Sequence, residues 1–216
     1  MKKKLLTGMV SLTLLILVGC QSNSKKVEPV EAAETYINSY MYQKDSDKMK
    51  ETFDLEPTSL ETQSEKNFVA NFKKLLDLDD TSNDKLNELY QKYQVSIHNN
   101  TSYKAKLIND DKKNPIIELS IIGLNEPEDT WMDTAISKKL DENPDLITAS
   151  MDESAIKKVS QTLQLDLLFE SVKESTPKKE SVQLNMLLEE NPKNKNTWQI
   201  KDEKNFLDDL NTAFGL

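Results

Sequence analysis

The chain has 216 residues, with 28 basic against 37 acidic side chains, one histidine, one cysteine and four glycines, and a formal charge of −9. Every basic residue is a lysine, so the planar fork with which arginine grips phosphate is missing, and the acidic balance further excludes nucleic acid as a natural partner. So few glycines leave no phosphate-cradling loop or dinucleotide fingerprint, and a single histidine leaves multi-histidine metal sites without their members.

Taken in chain order, Lys2, Lys3 and Lys4 precede an apolar run from Leu5 to Val18 that closes on Leu17-Val18-Gly19-Cys20. A positive start, a short apolar core and a small residue before the cut describe a secretory signal. The run is shorter than the roughly 20 apolar residues needed to span a bilayer. Leu17-Val18-Gly19-Cys20 resembles the bacterial lipobox. That resemblance implies a signal peptide over 1–19, a diacylglyceryl group on the Cys20 thiol (palmitate being a typical acyl chain) and cleavage before Cys20. Two acyl chains hold a protein durably where one does so only marginally. Gln21 to Glu28 is polar and without apolar periodicity, so 20–28 reads as a lipidated cysteine and spacer. Loss of 1–19 removes three lysines and no acids, which takes the mature domain to −12. The expected location is the outer face of the cell membrane. An all-lysine basic set with abundant Asn and Ile also fits the AT-rich genomes common among Firmicutes.

Residues 29–216 read as one α+β domain. Pro29 suits a helix start, and Ala33, Tyr36, Ile37, Tyr40 and Met41 recur at helical spacing, with a short further piece around 45–53. Phe68, Val69, Phe72, Leu75 and Leu76 form an apolar stripe within a helix over 59–78. A third helix, capped by Ser82 or Asn83, carries Leu86, Leu89, Tyr90 and Tyr93. The period then changes. Tyr103, Ala105 and Leu107 alternate with polar residues, 109–115 is a turn by composition, and Ile116 to Leu124 forms a better-buried strand. Helices over about 130–141 and 152–172 follow. A second hairpin comes after them, with Val182, Leu184, Met186 and Leu188 alternating, a turn over 191–196, and Trp198 and Ile200 returning. A closing helix carries Phe206, Leu207, Leu210 and Phe214. The two hairpins are expected to share one antiparallel sheet, with the helical stretch as an insertion between them.

Val30-Glu31-Ala32-Ala33-Glu34-Thr35-Tyr36-Ile37, followed by Asp45 and Asp47, resembles the first helix of NTF2-like (cystatin-like) domains. Asn196-Thr197-Trp198-Gln199-Ile200 and the tail to Gly215 resemble their last strand and ending. With the lipobox, the chain resembles Firmicutes lipoproteins that carry an NTF2-like domain of unknown function. The resemblance implies helices packed on a curved sheet around a cone-shaped cavity, for which Tyr36, Tyr40, Trp131 and Trp198 are the lining candidates.

Chemistry is sparse. His98, followed by Asn99 and Asn100 just before a predicted strand, reads as an exposed turn residue, and Cys20 is committed to lipid. Asp77, Asp79, Thr81, Asn83 and Glu88 match the ligand spacing of a calcium loop, but Ser82 stands where that loop needs glycine for its sharp turn, so no metal is expected. Acidic neighbours such as Glu126, Glu128 and Asp129, or Glu189 and Glu190, follow from the composition and do not define an acid–base pair. The released tail Leu12 to Gly19 is apolar enough to resemble a peptide signal. No catalytic residue and no cofactor are expected. The remaining reading is a membrane-anchored, non-catalytic module for an unidentified surface protein. The competing reading is a small-ligand-binding protein, as a transporter accessory, or an NTF2-like cavity enzyme.

Overall fold

The computed structural model describes residues 26–125 and 130–215. Leu17, Val18, Gly19 and Cys20, and the acids Glu126, Glu128 and Asp129, lie outside the described residues. The elements run α1 (Pro29–Tyr42), α2 (Met49–Phe53), α3 (Ser59–Leu75), α4 (Asn83–Asn100), β1 (Ser102–Asn109), β2 (Ile116–Ile122), α5 (Trp131–Glu142), α6 (Glu153–Lys173), β3 (Val182–Glu190), β4 (Trp198–Ile200) and α7 (Glu203–Phe214).

The strands form one open antiparallel sheet in the order β1-β2-β3-β4, so the two hairpins do share a sheet. Register aligns Leu107 with Ile117 and Met186, and Ala105 with Leu119 and Leu184. Because side chains alternate across a strand, this register gathers Ile117, Leu119, Ile121, Met186 and Leu188 on one buried face. The opposite face carries Lys104, Lys106, Glu118, Ser120, Gln183 and Asn185, and there Gln183 Nε2 donates to Ser120 Oγ at 3.1 Å.

Two helices cover the apolar face. α7 lays Phe206, Leu207, Leu210, Ala213 and Phe214 against β2, β3 and β4. α1 is buried nearly all round, from Ala32 to Tyr42, because it touches the sheet on one side and α3 and α4 on the other. Each large aliphatic side chain fully buried this way contributes about 1.5–3 kcal/mol. α1 ends where Gln43 turns into the left-handed region at φ 50°, and its backbone N–H caps Asn38 O. α5 and α6 make an outer layer: α5 buries none of its described side chains, and α6 buries only Leu165 and Leu167.

Three boundaries differ from the sequence expectation. α3 ends at Leu75 and not at 78, and Asp77 just beyond it takes the left-handed region at φ 51°. α4 runs on to Asn100, through the stretch around His98 read as a turn, because Ile97 extends the stripe of Leu86, Leu89, Tyr90 and Tyr93 by one more turn. His98 is therefore a helical residue in the last turn. Thr101, in extended conformation, ends the helix with its Oγ1 donating to Ile97 O at 2.8 Å. β2 ends at Ile122 because Gly123 lies under the end of α7, where Leu124 N donates to Phe214 O at 2.9 Å.

Gly123 has no room for a side chain: a Cβ there would sit 2.1 Å from Ala213 O, a backbone atom that cannot rotate away. Gly123→Ala is expected to lower unfolding stability by about 2–3 kcal/mol through this overpacking, measured as an earlier urea midpoint at unchanged slope.

Candidate functional site

The excess of apolar residues on α6 decides where a site can form. Ile156, Val159, Leu163, Leu165, Leu167, Leu168, Phe169 and Val172 are more than one stripe requires, and only part of them reaches the core. α6 is stitched to the end of α4 by hydrogen bonds: Ser96 pairs with Ser175, and Asn100 Nδ2 donates to Ser175 O at 3.0 Å. Next to that seam the two helices diverge and leave an open cleft of about 630 Å³. α4 contributes Lys92, Val95, Ser96 and Asn99 at successive turns, and α6 contributes Phe169, Val172 and Lys173. Val95 is 61 % exposed, an apolar side chain off the buried stripe of its own helix. Charge rims the mouth: Lys92 Nζ lies 5.9 Å from the Phe169 ring centroid, and Glu170 pairs with Lys139 of α5 at 3.0 Å.

Val172 is also a wall of a smaller cavity of about 170 Å³ that runs inward between α3, α4 and α6. Its lining is aromatic and aliphatic, with Phe68, Phe72, Leu89, Tyr93, Trp131 and Leu168. Phe68 holds the aromatic set together, with ring centroids 4.6 Å from Phe72, 5.3 Å from Tyr90 and 5.7 Å from Tyr93. The Tyr93 hydroxyl donates to Gly215 O at 2.5 Å, which leaves its ring as the surface it presents. On the other side of Phe68 and Phe72 lies a third pocket of about 70 Å³, polar and lined by Tyr40, Ser64, Asn67, Asn71, Tyr90 and Asn211. It has room for about two waters.

The four aromatic residues expected to line one cone do not meet. Tyr40 lines the small polar pocket, and Trp131 lines the 170 Å³ cavity. Tyr36 is packed between Phe53 and Phe206, with its hydroxyl donating to Glu203 Oε1 at 2.6 Å. Trp198 is 3 % exposed and donates Nε1–H to Val27 O at 2.7 Å. The physical reason is that α1 and α7 fill the sheet's apolar face, where the cone would open. Sequence reasoning missed Val95 and Phe169; the signal was the apolar residue of α4 that falls off its stripe.

The other candidates are engaged locally. Asp77 pairs with Lys157, and its carbonyl accepts from Gln161 Nε2 at 2.6 Å. Asp79 accepts from Thr81 N at 2.9 Å as the cap of a single turn, and Glu88 reaches Lys92 at 3.5 Å. Glu189 accepts from Gln199, and Glu190 lies 3.7 Å from Lys26 Nζ. Among the described residues no three His, Cys, Asp or Glu side chains converge as metal ligands. His98 packs edge-on against the Tyr42 ring at 5.7 Å, and partial burial, reinforced by Lys44, holds its pKa below the ordinary histidine value.

Helices stacked on one face of a four-stranded antiparallel sheet, with a helical pair inserted between the hairpins, define an α+β domain whose concave features lie among helices. The chain belongs to the family built on a domain of unknown function, DUF5105, whose profile matches residues 20–215. Among solved structures it is similar to the ycdA protein of Bacillus subtilis, described as a candidate lipoprotein, at 15 % identity and a TM-score of 0.63. The match covers 86 % of this chain and 55 % of that one, so the chain spans about half the length of that relative. No curated protein matches the sequence.

Burial raises the pKa of Tyr36, Tyr40, Tyr42, Tyr90 and Tyr103 above the ordinary phenol value, with the Glu203 carboxylate adding to the effect at Tyr36. The fold thus favours the neutral phenol. The stabilisation is fully present below the unfolded pKa of about 10 and is lost as pH rises from there toward the folded values. Alkaline titration is expected to show these phenolates appearing together with the loss of secondary structure. Gradual ionisation near pH 10 in a protein that stays folded would contradict it.

Proposed function

We propose that this protein is an extracytoplasmic lipoprotein, held at the outer face of the membrane by a diacylglyceryl group on Cys20, and that it acts as a non-catalytic binding or assembly module. The α4–α6 cleft carries this reading. Its lining is apolar around Val95, Phe169 and Val172, its rim is charged, and it shares Val172 with a neighbouring aromatic cavity. An apolar centre inside a polar rim is the anatomy of a protein-recognition surface. The tyrosine ring at the inner cavity has its hydroxyl committed to Gly215 O, which suits packing more than proton transfer.

Two observations support the anchor. The family match opens on Cys20. The Bacillus relative is itself described as a candidate lipoprotein, which also favours a Gram-positive setting. Helices first, then a sheet and a closing helix, favour placing the domain among NTF2-like folds, with α5 and α6 as the inserted pair. The second reading is a small apolar ligand, favoured by the Trp131 cavity, whose roughly 170 Å³ is too small for most drug-sized ligands.

The test places a photo-crosslinking residue at Val95 or Phe169 in cells, with Lys104 on the sheet's polar face as the control position. A single membrane or wall protein is expected to crosslink from the two cleft positions and not from Lys104. Cys20→Ala is expected to release the protein into the medium and abolish that adduct. Equal adducts from all three positions would sink the cleft, and a Cys20→Ala protein that stays membrane-bound would sink the anchor.

A further inference from the structure

The antiparallel order puts both hairpin turns, 110–115 and 191–197, at the same end of the sheet. They are joined to each other: Glu190 N donates to Lys113 O and Leu188 N to Pro115 O, each at 3.1 Å. The chain enters the domain at this end too. Val27 O accepts from Trp198 Nε1 at 2.7 Å, and Lys26 Nζ lies 3.4 Å above the Trp198 ring and 3.7 Å from Glu190. The leader is therefore fastened to the hairpin end, and only six peptide links separate Lys26 from Cys20.

This end is close to charge balance, in contrast to the acidic protein as a whole. Lys112, Lys113, Lys193 and Lys195 are all exposed, and none takes part in a described ion pair. The carboxylates at this end are Glu28, Asp110, Asp111, Glu189 and Glu190, of which Glu189 accepts from Gln199. Asp111 is held in its turn, accepting from Lys113 N at 2.8 Å and Asn114 N at 3.1 Å, and Glu190 faces Lys26. Asn191 and Asn194 brace the second turn by accepting from Lys193 N at 3.0 Å and Asn196 N at 3.3 Å. Both turns thus hold their lysines on short, internally bonded loops. The chain they belong to carries a net charge of −9.

We propose that the hairpin end is a membrane-contacting face, where Lys112, Lys113, Lys193 and Lys195 bind the anionic headgroups of phospholipids and set the orientation of the domain. The inference rests on the lipid-anchor reading. Six extended residues span at most about 20 Å, so acylation of Cys20 keeps this end within reach of the headgroups. Electrostatic forces act mainly within a Debye length, about 8 Å at physiological salt, so lysines touching the surface are attracted while the acidic groups farther from it are screened. The cleft meets the sheet near Asn100 and Ser175, at the start of β1 and the opposite end from the turns, and so would face away from the bilayer.

The test uses the full protein purified from membranes and reconstituted into vesicles of phosphatidylglycerol or of phosphatidylcholine, with lysine acetylation rates read by mass spectrometry. On phosphatidylglycerol, Lys112, Lys113, Lys193 and Lys195 are expected to label about fivefold more slowly or less, while Lys173 and Lys179 near the other end keep their rates. The protection is expected to vanish in high salt. A protein carrying Lys112→Glu, Lys113→Glu, Lys193→Glu and Lys195→Glu is expected to lose the difference in the rates of its remaining lysines between the two vesicle types. Equal labelling of the wild type on both vesicles overturns the proposal. Protection by a soluble glycerol-phosphate polymer but not by phosphatidylglycerol overturns it in favour of a wall polymer. The mass of the Cys20 peptide is read on the same sample: a missing acyl group sinks the anchor, whereas an acylated protein without headgroup dependence sinks only the contact face.

Discussion

Strict alternation along four strands is the constraint from which the rest of this structure follows. It sends Ile117, Leu119 and Ile121 of β2 and Met186 and Leu188 of β3 to one side, and leaves lysine, glutamate, serine and asparagine, with Ile116, Ile122 and Leu187, on the other. A sheet of this kind is stable only if its apolar side is covered. α7 covers it from the chain's end and α1 from its beginning, so residues more than 150 positions apart must pack together. The Tyr36–Glu203 and Tyr40–Asn211 hydrogen bonds, 167 and 171 positions apart in sequence, mark where they do. Gly123 is the point of closest approach, where β2 passes under the end of α7 with no space for a methyl group.

Once α1 and α7 have closed the sheet, α3 and α4 bury the outer side of α1, α6 leans on α4, and α5 leans on α6. Burial accordingly decreases outward, from the fully enclosed α1 to an α5 with no buried side chain among its described residues. The outermost layer is where apolar surface is left over, and there the cleft forms. Packing density at the sheet and spare aromatic surface at the helices are two results of one distribution of hydrophobic residues along the chain.

What the sequence made legible was whatever depends on local period. The two alternating hairpins, the Asn- and Asp-rich turns and the stripes of α1 and α7 could be read directly, the α3 stripe held only in part because Leu75 points to solvent, and the pairing of Ile116–Ile122 with Val182–Glu190 confirmed one sheet. The end of α4 was misread because clusters of short polar residues usually break helices: His98, Asn99 and Asn100 look like a turn, but burial of Ile97 carries the helix through them. The common cavity was misread because aromatic spacing says nothing about whether a neighbouring element fills the space. Trp198 satisfies its N–H on the backbone of Val27, a partner far away in sequence. The gathering of lysines at the hairpin end was also beyond sequence reasoning, since it needs the strand order that brings 112–113 beside 193–195.

The sheet's free borders are a further result of the same strand order. β1 has an unpaired edge, and an unpaired edge invites a second copy to add its own strand. Here the edge strand alternates Lys104 and Lys106 on its polar face and breaks register between Leu107 and Asn109. At the opposite border β4 is three residues long and is shielded by α2. Lysine charge, a bulge and a very short strand all block sheet-to-sheet growth. These borders allow the protein to be crowded without polymerising, as the proposed anchor would require of it.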